Sequence, residues 1–98
     1  MGEGLQVGTA EARKILRVVI ADGVLYFSRH ARREMVKDGM TDQDIVNTLR
    51  AGQPEPSEFE NGSWRHRVKT NRFCVVVTLL SEREAVVVTA WRVRGSRG

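Results

Sequence analysis

The 98-residue chain reads as an α+β domain, with N-terminal helices packed on a three- or four-stranded antiparallel sheet. Three observations predict this. Apolar side chains recur at helical spacing up to Leu49. From Ser63 onwards a period of two replaces that spacing. Between them Asn61-Gly62, a tight-turn signal, marks the change. Helices first and strands afterwards is the order of an α+β fold rather than of alternating βαβ units.

In the first helix Ala12, Ile15, Leu16, Val19 and Ile20 form one buried stripe, Thr9 is placed to cap the start, and Asp22-Gly23 ends it. Glu11, Arg13, Lys14 and Arg17 face water. Val24 to Phe27 is a brief extended connector or an edge strand. Ser28 then caps a second helix carrying His30, and Gly39 can take the left-handed conformation that stops it. Thr41 and Asp44 make an acidic variant of the capping box for a third helix, with Ile45, Val46 and Leu49 as its apolar stripe and Gly52 as its end.

Pro54 and Pro56 confine Gln53 to Glu60 to a loop or an edge strand, because proline cannot donate to a central ladder. In the next strand Trp64, His66, Val68 and Thr70 point one way and Arg65, Arg67 and Lys69 the other. Phe73 to Leu80 is apolar on both faces and reads as central. Ala85 to Val93 follows, with Val87, Thr89 and Trp91 on one face and Val86, Val88 and Ala90 on the opposite one. The length suits a single domain, residues 1–98, with a core spanning about 9–93, a flexible N-terminus and a mobile basic tail from Gly95.

The formal charge of +4 is unevenly placed. Residues 1–61 carry eight cations against ten carboxylates, whereas residues 62–98 carry eight against two. Thirteen of the sixteen cations are arginine, whose planar fork suits bidentate phosphate contact. A polyanionic partner, RNA above all, is the natural expectation. No apolar run approaches the roughly 18 residues of a membrane span, so a cytoplasmic, membrane-independent protein is expected. The single cysteine, Cys74, lies in an apolar run and reads as a buried hydrophobe rather than a nucleophile.

The strand Trp64 to Lys69 interleaves an aromatic ring, an imidazole and three cations, a strip suited to a phosphodiester backbone and a stacked base. Trp64, Arg67, Lys69, Arg72 and Arg92 are the candidate RNA and phosphate ligands. His30, His66 and Arg65 are the catalytic candidates. Metal-free RNA cleavage needs a base for the ribose 2′-hydroxyl, fixed cations for the phosphorane-like transition state and an acid for the departing 5′ oxygen. Histidine is the side chain whose ordinary pKa suits such proton transfer. Glu34, one turn after His30, is placed to orient it. No metal or other cofactor enters this reading. The chain has no Walker-type loop, no paired catalytic carboxylates and no serine nucleophile motif, which disfavours the chemistry those carry.

Ser28-Arg29-His30-Ala31, followed by Met35, Gly39-Met40-Thr41, Ile45, Leu49 and Gly52, resembles the bacterial family called domain of unknown function 4258. With Arg65, the valine-rich strands and Trp91, the resemblance covers roughly residues 25–93. Glu34 and Asp38 stand where that family often has arginine. The resemblance implies a RelE- or MqsR-like fold, shared with toxins that are α+β ribonucleases neutralised by a partner antitoxin, often a zinc-containing one. It marks His30, Arg65 and Trp91 as family-pattern positions. The expected function is therefore a toxin-like endoribonuclease acting on mRNA, free or ribosome-bound. The alternatives are a non-catalytic RNA- or protein-binding module and an inactive relative that has lost the needed arginines.

Overall fold

A computed structural model describes residues 3–94. The elements are α1 (Thr9–Asp22), β1 (Val24–Phe27), α2 (Arg29–Lys37), α3 (Asp42–Ala51), β2 (Gln53–Pro54), β3 (Glu58–Glu60), β4 (Ser63–Lys69), β5 (Phe73–Leu79) and β6 (Glu84–Arg92). The α+β class holds, but the sheet has six strands rather than three or four. Its order is β1-β6-β5-β4-β2, with β3 pairing β4 off that path. All pairings are antiparallel except β1 with β6, which is parallel. The two stretches read as loop or edge strand supply the extra strands. Pro54 sits in β2 at the sheet's edge, where its missing N–H costs no ladder bond.

All seven residues of β5 are buried. Val75, Val77 and Leu79 join Val68, Ala85, Val87 and Ala90 on the face covered by helices, where Leu16, Met35, Ile45 and Leu49 meet them. Each fully buried Leu, Ile or Val contributes about 1.5–3 kcal/mol, so this single layer is the main source of stability. Cys74, on the other face of β5, is wholly buried, and burial pushes its thiol pKa up.

The helix ends follow the sequence reading with one exception. Ser28 Oγ accepts the Ala31 N–H, Gly39 takes a φ of 64°, and Thr41 and Asp44 complete their capping box. Asn61 and Gly62 both have positive φ, as the tight hairpin turn requires. At α1, however, Gly8 is the N-cap and among the described residues no side chain caps the helix; Thr9 is already helical. The segment before α1, expected to be flexible, is tied down from Glu3: its carbonyl accepts the Trp64 N–H, and Leu5 N–H donates to the Leu79 carbonyl, both at 2.8 Å. The tail from Gly95 lies outside the described residues.

The facing of β6 differs from simple alternation. Val76 pairs with Thr89 and Val77 with Val87, so Val88 is an extra residue in a β-bulge. The bulge shifts the phase by one. Val87 and Ala90 therefore both turn into the core while Trp91 remains on the open face. The bulge belongs to the anchoring of α2. Ser28 Oγ donates to the Val88 carbonyl at 3.0 Å, and at the other end of the helix Asp38 accepts the Arg92 main-chain N–H at 2.8 Å.

Candidate nucleic-acid interface

The open sheet face does present Arg65, Arg67 and Lys69, but it does not present them free. β3 folds back on β4 with Glu58 opposite Arg65 and Glu60 opposite Ser63. Alternation puts both carboxylates on the cationic face. Arg67 pairs with Glu58 at 3.0 Å, Lys69 with Glu55 at 3.2 Å, and Arg65 approaches Glu60 at 4.0 Å. Solvent-exposed pairs of this kind contribute only about 0.2–1 kcal/mol each to stability. Their larger effect is to cancel the field of the strand, three cations against three carboxylates. Trp64, on the other face, packs edge to face on Phe59, ring centroids 5.1 Å apart.

The remaining predicted ligands divide. Arg72 is exposed, its guanidinium 5.3 Å above the Phe73 ring. Arg92 covers the same ring from 5.0 Å, but its guanidinium donates to the Asp38 carbonyl at 3.1 Å and to the Gly39 carbonyl at 3.3 Å. It therefore closes the C-terminal end of α2, where unpaired carbonyls favour a cation.

The three catalytic candidates are not brought together. His66 is completely buried beneath the helical cover, whereas its neighbour Arg65 points to the opposite face. Desolvation lowers the His66 pKa below its ordinary 6.5, and nearby backbone groups of Leu5 and Glu55 oppose that shift. Among the described residues neither ring nitrogen has a hydrogen-bond partner of good geometry. His30 is exposed on α2, which packs on β6. Between β6 and β4 lies β5, so two strand spacings, about 9.5 Å, separate their backbones before the height of the helix is added. Glu34 reaches Lys37 at 3.4 Å rather than His30. Among the described residues no group of three or more His, Cys, Asp or Glu stands together to hold a metal ion.

A positive surface left open among the described residues lies on α2, which the strand-centred reading passed over. Ala31 and Met35 bury one side of this helix. Arg29, His30, Arg32, Arg33, Val36 and Lys37 are turned outwards. Arg32 is occupied by Asp42 and by the face of Phe27, 3.9 Å away, and Lys37 by Glu34. Arg29 and Arg33, one turn apart, meet no carboxylate among the described residues. Val36, 81% exposed, gives their surface an apolar patch within a shallow depression of about 460 Å³. The signal was legible in the spacing Arg29, Arg32, Arg33, Lys37, which is i, i+3, i+4, i+8 on one helix face.

Residues 27–92 match the model of the family described as Domain of unknown function (DUF4258). The chain belongs to this family. The match to DUF4258 begins at Phe27, one residue before the α2 cap, and ends at Arg92, so it spans the helix pair and strands β2 to β6 but not α1, and it takes in only the last residue of β1. No curated protein and no solved structure matches the chain. Both departures from the expected DUF4258 arginines have structural partners in this member. Glu34 pairs with Lys37, and Asp38 holds the Arg92 main chain together with the Arg94 guanidinium, the latter at 3.2 Å. Among the described residues no helix is long and apolar enough to cross a membrane.

Proposed function

We propose that the protein is a binding module for single-stranded RNA that engages the phosphate backbone through α2. The observation that carries this reading is the contrast between two cationic surfaces. On β4 each cation has a glutamate, whereas on α2 Arg29 and Arg33 project into solvent beside an exposed valine. Arginine forks of this kind contact phosphate bidentately, and apolar surface beside them favours an unstacked base. Fluorescence anisotropy with a labelled RNA oligonucleotide tests it. Arg29→Ala with Arg33→Ala should weaken binding at least tenfold while Arg67→Ala has little effect; equal loss from both would move the site back to the strand.

The second reading is the toxin-like ribonuclease acting on mRNA, with a RelE- or MqsR-like fold and a neutralising antitoxin in the same cytoplasm. One observation favours it: His30 lies on this same helix, exposed, next to Arg29 and three residues before Arg33. An accessible imidazole beside guanidinium groups that meet no carboxylate among the described residues supplies a proton-transfer group and charge stabilisation for attack of a 2′-hydroxyl. Expression of the chain alone in bacteria, with growth and transcript integrity followed, separates the readings. Cleavage lost in His30→Ala with RNA affinity retained supports the enzyme. Intact transcripts and normal growth support the module.

A further inference from the structure

The two edges of the sheet are treated differently. At one edge β2 is two residues long and contains Pro54, and β3 beside it carries Glu58 and Glu60. Short strands, proline and charge are the devices that stop an edge from pairing with another chain. The other edge is β1, Val24-Leu25-Tyr26-Phe27, which contains no proline, no charge and no bulge. Its hydrogen bonds to β6 fix which groups are left over. Val24 N–H donates to the Arg83 carbonyl and Ser28 N–H to the Val87 carbonyl. In a parallel ladder alternate residues face the neighbour, so Leu25 and Phe27 turn their N–H and C=O groups to the open side.

We infer that β1 pairs antiparallel with β1 of a second copy of this chain, about a twofold axis through Tyr26. In this register Leu25 faces Phe27 of the second copy, and Phe27 faces its Leu25. These are the residues whose main-chain groups have no partner among the described residues, and the two pairs exchange about four hydrogen bonds. Tyr26, 45% exposed, falls opposite itself on the open face, with Val24, 46% exposed, beside it. Charge selects the antiparallel sense. The start of β1 lies level with Glu84, near Asp22 and Glu82, where Arg83 pairs with Asp22. The end of β1 runs directly into Arg29, His30, Arg32 and Arg33, where Arg32 pairs with Asp42. Antiparallel pairing sets the acidic end of one copy against the basic end of the other, whereas a parallel pairing would set like against like. Isologous contacts of this kind close after two subunits.

Sedimentation of the full chain over a concentration series tests the inference. The wild type should show a concentration-dependent rise to twice the monomer mass. Tyr26→Asp, which alters an exposed side chain and places carboxylates face to face on the axis, should stay monomeric. Tyr26→Cys should form a disulfide-linked dimer on oxidation while Val24→Cys should not, because Val24 lies two residues from the axis in each copy. Hydrogen exchange distinguishes the occupants: Leu25 and Phe27 amides should gain protection as the pure protein is concentrated. A wild type that remains monomeric with those amides exchanging freely leaves the edge to a strand from a different protein and overturns the proposal. So does a Tyr26→Asp variant with the dimer mass.

Discussion

The Ser28 hydroxyl joins a helix start to a strand irregularity: it donates to the Val88 carbonyl at 3.0 Å and accepts the Ala31 N–H at the same distance. A bulge leaves its extra residue without a ladder partner, and a helix start leaves amides without acceptors. One oxygen answers both needs. Ser28→Ala should therefore cost about 2 kcal/mol, more than an ordinary cap, because the carbonyl of a partly buried residue is stranded as well. Urea denaturation measures it; a loss below about 0.5 kcal/mol would mean that water replaces the hydroxyl.

Asp38 should matter as much. Its carboxylate is largely buried and accepts from the Arg92 main chain, so Asp38→Ala leaves that N–H unpaired and should cost about 1.5–3 kcal/mol. Asp38→Asn, which keeps an acceptor, should cost less, and Asp38→Arg more. A stabilising Asp38→Arg, assayed by the same denaturation, would show that the arginine expected at this position fits this backbone after all.

His66 predicts the acid limb of the stability curve. Burial holds its folded-state pKa below 6.5, so between that value and 6.5 the unfolded chain binds a proton that the folded chain does not. Stability is then fully present above about pH 6.5 and declines as pH falls below it. Thermal melts between about pH 5 and 7.5 should show this slope, and His66→Leu should flatten it. An unchanged slope in the variant would place the titrating group elsewhere.

For RNA the salt dependence is informative. If Arg29 and Arg33 each neutralise a phosphate, their double alanine variant should reduce the slope of log K against log salt by about 1.4 on a single strand. Glu58→Gln with Glu60→Gln should instead raise affinity, since it unmasks Arg65 and Arg67. Titrations at several salt concentrations check both, and an affinity unmoved by the glutamine pair would show that β4 stays out of reach even when its charge is exposed.

Much of this architecture was legible one element at a time. Ser28, Gly39, Thr41 and Asn61-Gly62 act through bonds within a few residues of themselves, so their residue types suffice to read helix ends and a turn. Long-range effects were not. The parallel pairing of β1 with β6 joins segments 60 residues apart, and nothing in Val-Leu-Tyr-Phe announces its partner. The bulge at Val88 interrupts a run of valines in which every phase looks equally apolar. At the candidate site the cations of β4 were visible, but their neutralisation required knowing that β3 folds back to lie against them. His66 shows the same limit: alternation gave its facing, while its complete burial depends on the helical cover and the nearby backbone of Leu5 and Glu55.

The fastening of α2 at both ends makes helix and strand gauges of one another. From Ser28 to Asp38 the helix advances about 15 Å at 1.5 Å per residue. From Val88 to Arg92 the strand advances about 14 Å at 3.4 Å per residue. Ten helical steps are thus matched to four extended ones. A residue added to or taken from the helix would turn Asp38 by about 100° around its axis, and one added to or taken from the strand would reverse the side to which the Arg92 N–H points, so either change alone breaks a fastening.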